Sequence, residues 1–255
     1  MNGQDIRYSR QASLAEVGAS GQQKLADSSA LLIGAGGLGT AASLYLATAG
    51  LGRLVINDFD TVDQTNLPRQ VLYNHADVGK AKAQVAADKL AVINPEIQLS
   101  ALNKRFDRDA LAEQIAAVDI VLDCTDNFTS RWLINEVCAE KKTALVTGAA
   151  IRTEGQLSIF RHDLDNGPCY RCLYTEEDEN LNDCAGQGIL GPVAGTIGCM
   201  MATETLKYLL GVASGLEAKL WIYDAKSGNS RMLAIPEDPE CPVCSPRTAS
   251  QGKRE

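Results

Sequence analysis

The stretch ALLIGAGGLGT, residues 30–40, limits the fold more than any other part of the chain. Ala30 to Ile33 form a short continuous apolar run, the pattern of a strand buried on both faces. The run leads directly into Gly34, Gly36, Gly37 and Gly39, and then into TAASLYLATAG, a helix-forming segment closed by Gly50. Strand, glycine turn and helix in that order predict a phosphate-binding βα unit. Glycines permit the tight turn and let a phosphate approach the backbone N–H groups at the helix start. Asp58 closes the next apolar run about 20 residues on, where a carboxylate can bind ribose hydroxyls.

A single βα unit cannot cover its own strand, and the first half of the chain supplies the rest. RLVINDFD, EIQLSAL, DIVLDCTD and TALVTGA read as further strands. Between them VGKAKAQVAADKLAVINP, DALAEQIAAV and NFTSRWLINEVCAEK read as helices, the first of these stopped by Asn94 and Pro95. Alternation with short connections predicts a Rossmann-like, doubly wound α/β sheet. After about Ala150 the pattern changes. GQLSIFR, AKLWIYD and SRMLAI read as strands that do not alternate with helices, with a helix over GTIGCMMATETLKYLLG. This predicts a mixed or antiparallel extension of the same sheet. The expected organisation is one domain over 1–248, with a nucleotide-binding half at about 1–150, a cysteine-bearing half at about 151–248 and a loose tail at 249–255.

Composition narrows the class. Hydrophobic residues make up 45% of the chain, enough for a large core, and the net charge of −8 argues against a nucleic-acid partner. The start MNGQDIRYSRQ has no secretory pattern, and no apolar run is long enough to span a bilayer. A cytoplasmic protein without membrane attachment is expected. In that setting the eight cysteines point to metal or redox chemistry before disulfides.

The glycine loop alone suits NAD, but its neighbours are richer in positive charge than an NAD site requires. Asn66 and Arg69 are one helical turn apart, Lys82 opens the next helix, and Arg10 precedes the first strand. Arginine and lysine together suit a triphosphate such as ATP. LDCTDN ends the fourth strand with Asp123 and Asp126 at the carboxyl edge. Asp126, just past the strand, is the preferred Mg2+ ligand, against the alternative of a helix N-cap. Cys169 and Cys172, then Cys241 and Cys244, form two CxxC pairs whose four thiolates suit tetrahedral Zn2+. A disulfide or a thioredoxin-like couple is the competing reading, and the latter is disfavoured because neither pair is expected to open a helix after a strand. With all four positions taken, such a zinc is structural. Cys124, Cys138 and Cys199 read as core residues.

The segments RYSRQ, GQQKL, LIGAGGLGT, DFDTV, NLPRQ, VGKAK, LDCTDN, GAAIRTEGQ, PCYRC and CPVC resemble, in order, those of the MoeB/ThiF adenylyltransferases of sulfur-carrier proteins, relatives of ubiquitin-activating enzymes. The resemblance runs from about Arg7 to Cys244. It implies that the C-terminal Gly-Gly carboxylate of a small ubiquitin-like carrier attacks the α-phosphate of ATP and releases pyrophosphate. It also implies that Asp58 holds the ribose, that Asn66, Arg69 and Lys82 contact phosphates, and that Asp126 binds Mg2+. Arg10 matches an arginine that reaches into a partner subunit's site, so a homodimer is implied, with the second half of the chain binding the carrier. GAAIRTEGQ looks closer to the MoeB branch, which serves molybdopterin synthesis, and RYSRQ and GQQKL to the ThiF branch, which serves thiamine synthesis. A cysteine desulfurase or another sulfur donor is the further partner the resemblance implies, and the C-terminal rhodanese domain of some relatives is expected to be lacking.

Two other readings compete. One is an NAD-dependent oxidoreductase, which leaves the Arg10, Arg69 and Lys82 group unexplained. The other is a non-catalytic, zinc-stabilised binding protein of the same fold. Cys184, in LNDCAGQG between an acidic and a glycine-rich run, fits neither metal nor core. The resemblance implies a loop cysteine that, in the ThiF branch, can link covalently to the carrier after adenylation. A plain loop cysteine is the alternative.

Overall fold

The computed structural model describes residues 6–175 and 188–245. Their strands are β1 (Ser29–Ile33), β2 (Arg53–Asn57), β3 (Gln98–Leu102), β4 (Ile120–Asp123), β5 (Ala144–Ile151), β6 (Glu154–Phe160), β7 (Lys219–Asp224) and β8 (Asn229–Ala234). They form one sheet in the order β3-β2-β1-β4-β5-β6-β7-β8. β1 to β5 run parallel, and β6, β7 and β8 each pair antiparallel with the strand before. The expected mixed extension is therefore present. Residue 150 lies within β5, so the two halves share a continuous sheet.

Burial follows the two-residue period of a strand. Ala30 and Leu32 of β1, with Ile120 and Leu122 of β4, enter the core on one face. Leu31, Ile33 and Val121 enter the core on the other. Helices cover both faces, which is why these strands are apolar at successive positions, Ala30 to Ile33 and Ile120 to Leu122. On the first face lie α3 (Gly37–Thr48), α4 (Lys82–Ile93) and α8 (Gly191–Leu210). On the second lie α5 (Arg108–Ile115) and α6 (Phe128–Lys141). Short helices α1 (Ser9–Ala12) and α2 (Gly18–Ala26) precede β1, and α7 (Tyr170–Leu173) follows β6.

Two boundaries differ from expectation. The helix after the glycine turn begins at Gly37, inside the motif. The long apolar helix begins at Gly191 with Pro192 in its first turn, where the missing N–H costs nothing, and ends at Gly211 in the left-handed region. One burial expectation is corrected. Cys124 and Cys138 are buried, but Cys199 is only partly so, because its side of α8 faces a surface groove with Gln11, Tyr45 and Thr48.

The chain goes from β1 to one side of the sheet and, after β3, to the other, so β2 and β4 flank β1. The loops leaving β1 and β4 therefore part company and open a crevice at their carboxyl ends, the usual ligand position in such sheets.

Candidate active site

The glycine turn is set by contacts within the chain at two of its positions and not at a third. Gly34 has φ +96°, and a Cβ there would lie 2.8 Å from the Cys124 carbonyl oxygen. A Cβ on Gly39 would fall 1.9 Å from the Gly34 carbonyl oxygen. At Gly36 a Cβ would meet only Gln70 Nε2, at 3.7 Å. Packing thus demands Gly34 and Gly39, while the bare backbone at Gly36 suits close approach by a ligand. Gly36 also caps α3 without a side chain, so the first N–H groups of the helix have no side-chain acceptor among the described residues.

Asp58, directly after β2, is buried and holds this turn. One carboxylate oxygen accepts from the Ala35 N–H at 2.7 Å, the other from the Asp60 N–H at 2.8 Å. Burial raises its pKa, opposed by the Asp60 N–H, the charge of Lys82 and the Ala35 N–H. Lys82 is the first residue of α4. Its side chain is only 8% exposed and its ammonium lies 3.2 Å from Asp60. The Tyr73 hydroxyl is 2.8 Å from the Ala35 carbonyl and 3.2 Å from that of Lys82, tying the turn to the start of α4.

The segment after β2 closes the other side. Asn66 ends a 3-10 turn, Gln64–Asn66, and its side-chain oxygen accepts from the Asp63 N–H, which leaves its amide donors for other partners. Arg69 donates to the Thr65 carbonyl at 2.9 Å and packs beside Gly37. Gln70 was not singled out from the sequence. It is 3% exposed, its amide nitrogen borders Gly36, and its buried Oε1 accepts no hydrogen bond among the described residues. Its position after Arg69 was the available signal, but only the folded approach to Gly36 gives it meaning.

β4 delivers two carboxylates with different surroundings. Asp123 is buried and accepts from the Thr125 N–H at 2.9 Å and hydroxyl at 2.6 Å. Burial pushes its carboxyl up, while Arg131 and its hydrogen bonds pull against that. Asp126 is exposed, and among the described residues its carboxylate accepts only from the Asn127 amide, at 3.4 Å. Asn127, not Asp126, caps α6 by accepting from the Ser130 N–H at 2.9 Å. Asp126 is thus free of the capping role weighed for it, and it lies two residues beyond Cys124, the neighbour of Gly34.

Arg10 does not join this crevice within its own chain. Gln11 of α1 donates to the Ala49 carbonyl, and Tyr8 packs against Gly50, so α1 sits at the far end of α3 from the glycine turn. α3 is 12 residues long, about 18 Å.

Cys169, Cys172, Cys241 and Cys244 come together, with their sulfurs all within 4.8 Å of one another. The Cys169–Cys241 and Cys172–Cys244 separations are 3.6 and 3.3 Å. A tetrahedral ion with metal–sulfur bonds near 2.3 Å places its sulfurs about 3.8 Å apart, so the cluster could hold a metal. Burial raises the Cys169 thiol to about 12, a bias that a bound cation opposes. One expectation is modified: Cys169 does cap a short helix, α7, though no strand leads into it. Cys184 and the 249–255 tail lie outside the described residues. Among those residues no helix is long and apolar enough to cross a membrane.

The ThiF family pattern matches residues 8–243. The chain is 44% identical to the sulfur carrier protein ThiS adenylyltransferase of Escherichia coli K12 over 245 residues, 96% of this chain and 97% of that protein. It is also 44% identical to the molybdopterin-synthase adenylyltransferase of the same organism over 239 residues, 94% of this chain and 96% of that one. The crystal structure of E. coli MccB with MccA-N7isoASN matches with a TM-score of 0.81 at 25% identity, over 94% of this chain and 75% of that one.

Proposed function

The chain belongs to the ThiF family, and from that premise we propose that it is an adenylyltransferase acting on the C-terminal Gly-Gly carboxylate of a small ubiquitin-like sulfur carrier. The observation that carries this reading is one crevice that joins a glycine turn bare at Gly36, the buried cation Lys82 and the uncommitted carboxylate Asp126.

The carrier's carboxylate forms a bond to the α-phosphorus of ATP, the bond to the pyrophosphate oxygen breaks, and an acyl-adenylate results. No general base is required, because the attacking carboxylate is ionised at neutral pH. The residues of the crevice position and neutralise. Asp58 holds the turn and presents its remaining lone pairs to the ribose. Lys82, Arg69 and the free amide of Asn66 face the phosphates. Asp126 is the residue for Mg2+, which offsets charge on the phosphates when bound. The four cysteines suit structural Zn2+, and with four ligands no position is left open for chemistry.

Arg10 completes the site from a second copy. The outer side of α3 and α8 favours such a dimer. α3 has no charged residue, and Tyr45, Thr48, Cys199, Thr203 and Leu206 line a groove of about 210 Å³ beside α1. Antiparallel packing of α3 on its copy would bring one protomer's α1 to the other's glycine turn. Mixing two inactive variants, Arg10→Ala and Lys82→Ala, is the test: mixed dimers then hold one intact site, and about a quarter of wild-type activity returns. No return refutes action between subunits.

The reaction itself is tested by carrier-dependent exchange of pyrophosphate into ATP, with ThiS-like and MoaD-like carriers side by side. Exchange with at least one is expected, and exchange with neither refutes the reading. Cys184→Ala leaves exchange intact, since any covalent step by Cys184 follows adenylation.

A further inference from the structure

Asp126 has little to hold it. Its carboxylate is exposed and among the described residues accepts only from the Asn127 amide. Its position must come from the backbone on either side. On the C-terminal side Asn127 caps α6. On the N-terminal side the peptide of Thr125 is clamped from two directions. Its N–H and hydroxyl donate to Asp123, and its carbonyl accepts from Arg131 Nη2. The same Nη2 donates to the Gly148 carbonyl of β5 at 3.0 Å, and Nη1 lies 3.5 Å from the Tyr170 hydroxyl of α7.

Arg131 therefore stands where β4, β5, α6 and α7 meet, with one planar group joining three of these segments to the loop that carries Asp126. The role assigned to Asp126 requires that loop to keep one geometry while Mg2+ and phosphate charge are bound beside it. A guanidinium suits this, since its donors are fixed in one plane and it stays charged. Asp123 supplies the compensating charge nearby.

We propose that Arg131 is a positioning residue for adenylation: by holding the Thr125 carbonyl against Gly148 and Tyr170 it fixes the Asp126 carboxylate for Mg2+. This rests on Asp126 as the metal-binding residue, so the experiment includes Asp126→Ala as a separate arm. Arg131→Lys keeps the charge but loses the planar fork. Thr125→Val loosens the same peptide from the Asp123 side while keeping the branched shape.

Thermal melting, carrier-dependent pyrophosphate exchange over a Mg2+ titration, and binding of a non-hydrolysable ATP analogue in EDTA are measured for each full-length variant. Arg131→Lys is expected to lower kcat about ten- to a hundredfold, the cost of losing hydrogen bonds to a charged group. It also raises the half-saturating Mg2+, leaving the KM for the carrier and the Mg2+-free affinity for the analogue unchanged. Thr125→Val shifts the Mg2+ dependence in the same direction by less. A folded Arg131→Lys with wild-type rate and Mg2+ dependence overturns the proposal even if Asp126→Ala abolishes exchange. If Arg131→Lys does not fold, an unchanged Mg2+ dependence in Thr125→Val overturns it. Wild-type exchange in Asp126→Ala removes instead the assignment of the metal to Asp126.

Discussion

β1 and β8 belong to the same sheet but are held in it by different forces. Four of the five residues of β1 are buried, between helices on both faces. All six residues of β8 are exposed, among them Met232 and Leu233. β1 is kept in place by apolar burial, while β8 has its ladder to β7 on one side and the chain's return to Cys241 and Cys244. The parallel half can therefore carry bare turns and uncommitted side chains at its carboxyl edge, because its strands need no help from them. In the antiparallel extension β6 is still buried, and at β8 the cysteine cluster is the further tie at hand.

The strongest way to break this contrast is to disrupt the cysteine cluster. Chelation, or Cys241→Ser, is expected to cost several kcal/mol, as loss of a structural zinc site does. Hydrogen exchange locates the loss: amides of β7 and β8 become unprotected while those of β1 and β4 stay slow. Equal loss in both halves would mean that the sheet has one source of stability.

Two glycine substitutions sharpen the contrast within the parallel half. Gly39→Ala places a methyl on the Gly34 carbonyl and should destabilise by about 1–3 kcal/mol, read by denaturant unfolding. Gly36→Ala meets nothing closer than 3.7 Å, so it should leave stability unchanged and weaken ATP binding instead. A loss of stability at Gly36 as large as at Gly39 would remove the case for a backbone kept bare for the nucleotide.

The smallest effect concerns pH. His162, after β6, is half-buried against Asn135, and its partial removal from water lowers its pKa from 6.5 to about 4. The folded chain keeps it neutral where the unfolded chain protonates it. Its contribution to stability is therefore present above about 6.5 and lost as pH falls towards about 4, with about one proton taken up on unfolding. His162→Asn should flatten that part of the stability profile. An unaltered slope would show that other groups cause it.

What the sequence disclosed, and what it did not, follows the same division between local and distant contacts. The glycine turn, the strand alternation and the CxxC pairs are spacings along the chain, and each formed where it was expected. The preference for Asp126 over Asp123 rested on its place just past the strand, and Asp123 is indeed engaged by Thr125. Gln70 and Arg131 were not visible, because each gains its place from segments far away in sequence, Gly36 for one and Gly148 and Tyr170 for the other. Cys199 was misplaced in the core because the apolar run around it gives no sign of which side of α8 meets a groove. Asp58 was read as a ribose ligand, and only the fold shows it also bonded to Ala35 and Asp60.

The central claim is that this crevice transfers an adenylyl group to a carrier's terminal carboxylate. Intact-mass measurement of a ThiS-like or MoaD-like carrier, after incubation with the protein and Mg-ATP, tests it most directly. The predicted result is a gain of one adenylyl group at the C-terminal glycine, absent when that glycine is deleted and absent with Asp126→Ala. A carrier of unchanged mass under conditions where ATP binds, or an adduct that survives deletion of the terminal glycine, would contradict it.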